Sequence, residues 1–197
     1  MNVIADITMS LDGYVTGPGD DIGHLHDWVF GGSATDTDPR SSTTGIDAQI
    51  LTDSFENRGA VVMGRRTYEI TNGWNGEPPF RVRCFVLTSQ PRDPYVTENG
   101  TSLEFVTDGA AAAIEKARAA AGDTDVSVMG GAQTIARALD AGLVDELHLH
   151  VAPRVLGRGI HLFDSIDREI ELERYRVEES PWATHLFFRV KRADPTR

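Results

Sequence analysis

The sequence predicts an α/β fold: a mostly parallel central sheet with antiparallel C-terminal strands and helices on both faces. Three observations carry this reading. Short apolar, β-rich runs alternate with helical stripes as far as residue 141. From 145 onward strands follow one another with no helix between them. Neither a fixed-period repeat nor a linker divides the 197 residues, so one domain over 1–197 is expected. Right-handed crossovers between parallel strands place the helices on both faces.

Each element follows from its residues. NVIADITM (2–9) reads as a strand, and the turn formers SLDGYVTGPGDDIG leave it. HLHDWVF (24–30) is a short helix or turn. The stretch 31–45, almost wholly Gly, Ser, Thr, Asp and Pro, has no core stripe and reads as a long mobile surface loop. From Thr44, a candidate N-cap, Ile46, Ile50, Leu51 and Phe55 share one helical face. AVVM (60–63) is a strand ending at Gly64, and a brief helix from Thr67 to Ile70 stops at Asn72-Gly73. CFVLT (84–88) and SLEFV (102–106) are strands. Asp108 can cap a helix through 121 that carries Ile114, Ala117 and Ala121 at helical spacing. DVSVM (125–129) ends at Gly130-Gly131, and a helix follows over 132–141. Leu147, Leu149 and Val151 then alternate with Glu146, His148 and His150, the period of a half-buried strand. Segments near 170–178 and 184–191 complete the β pattern.

Composition excludes several function classes. Thirty acidic residues against 19 Lys plus Arg give a net charge of −11, which argues against nucleic acid or an anionic membrane as partner. Hydrophobic residues at 40% and charged residues at 25% describe a globular chain. The single cysteine, Cys84, has no partner for an internal disulfide and sits in an apolar run. No stretch has the length of a membrane span, and the first residues lack a basic region, so a cytoplasmic location is expected and the Asn99-Gly100-Thr101 sequon is idle.

Chemistry in such a sheet belongs beyond the carboxyl ends of its strands. Four junctions qualify. Gly64-Arg65-Arg66-Thr67 joins a strand to a helix, where free backbone N–H groups and guanidinium forks suit a phosphate; a solvated pair beside Glu69 is the alternative. Thr88-Ser89 offers hydroxyls to an adenosine phosphate or ribose, or simply makes a turn. Gly130-Gly131-Ala132-Gln133-Thr134 lets a ligand approach the main chain before a helix, without GxGxxG spacing. Asp12-Gly13, an ordinary turn pair, sets an acid at the tip of the first strand.

SLDG, VMGRRTYE, LTSQP, VMGGAQTIARAL and AGLVDELHLHVAPRVLG, in this order, resemble the dihydrofolate-reductase-like family. Its closest branch is the reductase domain of bacterial riboflavin biosynthesis, the RibD C-terminal type, and the likeness covers roughly residues 2 to 190. The resemblance implies a dihydrofolate-reductase-like sheet and an NADPH-dependent reductase. It passes hydride to a C=N or C=O bond of a small heterocycle, such as the ribosylaminopyrimidine of riboflavin biosynthesis. Gly64, Arg65, Arg66 and Thr67 would then lie along the cofactor's phosphates, and Thr88 and Ser89 near the 2′-phosphate. Gly130, Gly131, Ala132, Gln133 and Thr134 would follow the pyrophosphate and nicotinamide, with a Gly-Gly peptide that is commonly cis in the family. Asp12 matches the acid of the SLDG turn and is the candidate for delivering a proton or ordering a water. Trp28 resembles a tryptophan lining the substrate pocket, with Asp27 beside it. The relatives usually pair through their sheets, which implies a homodimer; the strand 145–152 could serve.

Two departures stand out. The riboflavin-pathway enzymes typically carry a Lys before the SLDG strand end and a Glu before the glycine pair, where this chain has Asp6 and Met129. A pteridine reductase and a non-enzymatic nucleotide-binding protein therefore remain open. His148 and His150 share a strand face without a third metal ligand and read as a solvated face. His24 and His26 sit near the proposed cleft and either relay protons or are ordinary surface turn residues, and Gly157-Arg158-Gly159 reads as a loop, with contact to a substrate phosphate as the alternative.

Overall fold

Val-, Ile- and Phe-rich runs pair as strands because their side chains pack on a pleated surface that is buried on both faces. The structure, a computed structural model, describes residues 1–31 and 43–192; most of the loop expected over 31–45 lies outside them. In chain order the elements are β1 (Val3–Ser10), β2 (Tyr14–Thr16), α1 (Gly45–Glu56), β3 (Arg58–Gly64), α2 (Arg65–Ile70), β4 (Arg83–Leu87), β5 (Tyr95–Val96) and β6 (Ser102–Val106). There follow α3 (Gly109–Ala121), β7 (Asp125–Val128), α4 (Ala132–Asp140), β8 (Glu146–Ala152), β9 (Ile160–His161), β10 (Leu172–Glu179) and β11 (Thr184–Val190).

One nine-stranded sheet runs in the order β10-β11-β8-β1-β7-β3-β4-β6-β5, and β2 pairs with β9 in a two-stranded ribbon. The six strands from β8 to β6 are parallel to one another. β11 runs antiparallel to β8 and β10 antiparallel to β11, the C-terminal edge read from the sequence. The other edge is also antiparallel, through β5. Two residues, Tyr95–Val96, are too short a run to show a period in the sequence. Residues 24–30 form turns, closed by the Val29 and Phe30 N–H groups bonding back three residues.

Alternation along each strand separates two cores. Ala60, Val62, Phe85, Val126 and Val128 face α3 and α4, where Ile114, Ala117, Ile135 and Leu139 cover them. Val61, Met63, Cys84 and Val86 point the other way, beside Phe80. On that second face α1 lays Ile50 and Leu51 against Trp28 and Phe187. Thr44 and Asp108 stand at the N-caps of α1 and α3 as expected, yet neither side chain makes a capping bond. Strand β8 has β1 on one edge and β11 on the other, so neither of its edges is free. Among the described residues no helix is long and apolar enough to cross a membrane.

Leu139 is 1% exposed and seats α4 on the sheet. Leu139→Ala should lower unfolding stability by about 2–5 kcal/mol, read as a shifted urea midpoint.

Candidate active site

The four junctions singled out in the sequence lie at the carboxyl ends of β1, β7, β3 and β4, which are consecutive in the sheet. The tips of β3 and β7 touch. The Gly64 N–H donates to the Gly130 carbonyl at 3.0 Å. A Cβ on Gly64 would lie 2.6 Å from Thr134 Oγ1, and one on Gly130, whose φ is +59°, 3.1 Å from Thr67 Oγ1. Only glycine admits this approach. The Gly130–Gly131 peptide is cis, as the resemblance implies. Gly131 caps α4, whose Thr134 N–H donates to the Gly131 carbonyl at 2.9 Å. Ala132 and Thr134 turn inward and Gln133 is exposed.

The arginines are engaged. Arg65 Nη1 donates to both Glu69 carboxylate oxygens, at 2.9 and 2.7 Å, which is the pairing the bland reading anticipated. Arg66 Nε donates to Asp20 Oδ1 at 2.5 Å. Arg92, which no motif marks in the sequence, approaches the same Glu69 at 3.9 Å. All three are exposed, so these pairs are weak, about 0–1 kcal/mol each. Thr88 Oγ1 accepts the Gln90 N–H at 3.1 Å and holds the turn after β4, and Ser89 beside it is exposed.

Thr67, Gly130 and Gly131 form one wall of a cleft of about 330 Å³. Its other walls are largely aromatic and aliphatic, with Trp28, Phe30, Phe55, Trp74 and Phe80 among them. Asp6, Arg58 and His150 make its polar floor. Trp28, 4% exposed, is fixed by donating its Nε1–H to Thr8 Oγ1 at 2.9 Å.

Comparison with known proteins agrees with this geometry. The profile of the RibD C-terminal domain matches residues 1–185. The chain belongs to the RibD C-terminal domain family. It is 28% identical over 137 residues to the uncharacterised protein YwjB of Bacillus subtilis, covering 69% of this chain and 76% of that one. Two solved structures share the fold. One, from Shewanella sp. PV-4 and named for riboflavin biosynthesis, superposes with a TM-score of 0.72 at 24% identity over 98% of this chain and 100% of its own. The other is the diaminohydroxyphosphoribosylaminopyrimidine deaminase/5-amino-6-(5-phosphoribosylamino)uracil reductase of Thermotoga maritima, with a TM-score of 0.62 at 16% identity. The match covers 96% of this chain and 56% of that protein.

Asp6 and Met129 both line the cleft. Asp6 accepts from the Ser54 hydroxyl at 3.3 Å and stands 3.1 Å from His150 Nε2. Burial alone would raise its carboxyl. The His150 bond and charge, joined by His148 and Arg58, outweigh that and hold it well below the usual range. Arg58 stacks over Phe55 and Phe80, at 4.8 and 5.2 Å, while its Nη2 donates to Ser54 Oγ at 2.6 Å. The solvated-face reading of His148 and His150 fails for His150, which is 1% exposed, with the Trp28 and His185 rings 4.2 and 5.0 Å from its own. His26 lines the cleft, and burial foremost, then His150, pushes it down to about 4 against the pull of Asp27. No signal in the sequence joins positions 6, 58 and 150; only the strand order does.

Two expected residues are placed elsewhere. Asp27 does not line the cleft; it pairs with His24 at 3.1 Å and approaches Arg154 at 3.7 Å. Asp12, the expected proton source, also lies outside the lining. It accepts from Ser10 Oγ at 2.7 Å, from the Leu156 N–H at 3.0 Å and from the Gly157 N–H at 2.7 Å. The Ser10 hydroxyl, then those two N–H groups, outweigh partial desolvation and hold it down to about 2. Its carboxylate ties the β1 tip to the loop after β8. Asp12→Asn should therefore lower the melting temperature at neutral pH. The carboxylate's contribution is complete above its ordinary value of 3.8 and is lost as pH falls through about 2. The gap between wild type and variant should close over that window in thermal melts; equal melting temperatures at neutral pH would refute this role.

Proposed function

We propose that this chain is an NADPH-dependent reductase acting on a C=N or C=O bond of a small planar heterocycle. The observation that carries it is the contact between two glycine-bearing strand tips, 64–67 and 130–134, at the wall of one largely apolar cleft. Family membership supports the same class of chemistry.

The residues present suit the cofactor. Gly64 and Gly130 leave the main chain bare of Cβ atoms, and the first turn of α4 directs backbone N–H groups outward for a pyrophosphate. Arg65 and Arg92 flank Glu69 with exposed guanidinium groups suited to a 2′-phosphate, and Thr88 and Ser89 stand at the neighbouring tip. Bound there, NADPH supplies the hydride equivalent. The protein's own part is orientation and exclusion of water: Trp28, Phe55, Trp74 and Phe80 sandwich a flat ring, and the charged floor aligns its polar edge.

Asp6 and Met129 favour a substrate recognised differently from the riboflavin precursor, because a carboxylate and a thioether stand where relatives carry Lys and Glu. An NADPH-oxidation screen across pterins and ribosylaminopyrimidines separates the two readings, with pterin turnover expected to exceed ribosylaminopyrimidine turnover. In fluorescence titrations NADPH should bind more tightly than NADH. The double variant Arg65→Ala with Arg92→Ala should weaken NADPH about tenfold, roughly 1.4 kcal/mol, and NADH much less. Equal losses for both would show that neither arginine reads the 2′-phosphate.

A further inference from the structure

The floor of the cleft is one end of a buried chain of four side chains. Asp6 Oδ1 lies 3.1 Å from His150 Nε2, His150 Nδ1 lies 2.7 Å from His185 Nδ1, and His185 Nε2 lies 2.8 Å from Asp47 Oδ1. His150, His185 and Asp47 are 1%, 0% and 3% exposed, so water does not replace the bonds among these three. Trp28 covers both rings, with centroids 4.2 Å from His150 and 5.1 Å from His185.

Counting hydrogens gives the charge of this chain. Three hydrogen bonds need three hydrogens, whichever atom of each pair holds them. Two neutral imidazoles and two carboxylates supply only two. The bonded chain thus contains one extra proton and a net charge of −1, between two acids that favour keeping it. Asp6 is held ionised, with Arg58 behind it and His148 beside it on the next strand. His185 is pushed down to about 4 by burial and then by His150, against Asp47 and Asp6. His26 approaches His150 from the turn before Trp28 and is itself held neutral at neutral pH. These neighbours surround the His150–Asp6 end of the chain, the end that opens on the cleft.

A supply route adjoins the same end. Asp6 and His150 line the cleft and also a second, polar cavity of about 210 Å³, shared with Glu146, His148 and Tyr175. Among the described residues Ser127 Oγ and Arg58 Nε are buried without a protein partner, and both residues line this cavity, which suits water.

We propose that the Asp6–His150–His185–Asp47 chain is the proton source of the cleft, a role that rests on the reductase reading above. Reduction adds a hydride equivalent to the substrate carbon and leaves an electron pair on its nitrogen or oxygen, while the nicotinamide is oxidised. The proton that forms the new N–H or O–H bond passes from His150 Nε2 to the Asp6 carboxylate, the member of the chain whose side chain is partly open to the cleft, and from the Asp6 carboxyl to the substrate; water in the polar cavity restores it to the chain. Asp6 is then the catalytic acid; His150, His185 and Asp47 are positioning residues that hold the proton behind it.

Two measurements test this. In wild-type protein with ¹⁵N-labelled histidine, NMR should show three ring hydrogens shared by His150 and His185. One of them should be a far-downfield N–H···N hydrogen that persists from about pH 6 to about pH 8. Only two such hydrogens would overturn the proposal and leave the reductase reading untouched. His185→Gln should lower kcat about a hundredfold on whichever compound the wild type reduces, and move the alkaline fall of the rate to lower pH, with NADPH affinity unchanged. A slower variant with an unmoved pH profile would make the chain merely structural and overturn the proposal. A correct spectrum with no NADPH oxidation by the wild type across the panel would instead overturn the reductase reading, and proton delivery with it.

Discussion

At the carboxyl ends of β3 and β7 two turns meet at backbone hydrogen-bond distance, Gly64 N–H to Gly130 carbonyl, with no Cβ between them. The rest of the site depends on this approach. It brings Thr67 over the glycine pair, starts α4 beside α2, and makes one continuous wall out of residues that lie more than sixty positions apart. A methyl group on Gly64 would meet Thr134 Oγ1 at 2.6 Å and push the two tips apart.

Two kinds of electrostatics then divide the molecule. At the outer rim Arg65, Arg66 and Arg92 form exposed pairs with Glu69 and Asp20, interactions that solvent screens. At the cleft floor the charges are enclosed, and each finds a partner: Asp6 with His150 and Ser54, Arg58 with Ser54 and two aromatic rings, His185 with Asp47. Breaking one buried pair strands the other charge, so this floor is far less tolerant of substitution than the rim. Asp12 belongs to neither group, since its carboxylate serves the backbone of the loop after β8.

Much of the architecture was legible before any coordinates. Alternating apolar runs and helical stripes predicted the parallel core, and uninterrupted strands after 145 predicted the antiparallel edge. The glycine, arginine and threonine junctions were also legible, because a turn that needs positive φ or close backbone approach restricts residue choice locally. The surroundings of Asp27 and Asp12 were not legible, because acids beside a tryptophan or in an Asp-Gly turn look alike whether they face a cleft or bond to nearby groups. The same local blindness cast His150 as solvated, since its alternation with Leu149 and Val151 says only which face it occupies.

By itself, then, the sequence determined the fold class, the strand tips at which chemistry gathers and the glycines those tips require, since all of these follow from short-range periodicity and backbone sterics. Only the tertiary structure decided the cleft floor. Parallel pairing of β1 with β8 and antiparallel pairing of β8 with β11 set Thr8, His150 and His185 side by side, and packing of α1 on that face brings Asp47 to His185. Those contacts join residues up to 144 positions apart. Register and crossover order, not any local pattern, decide which side chains on a shared face become neighbours.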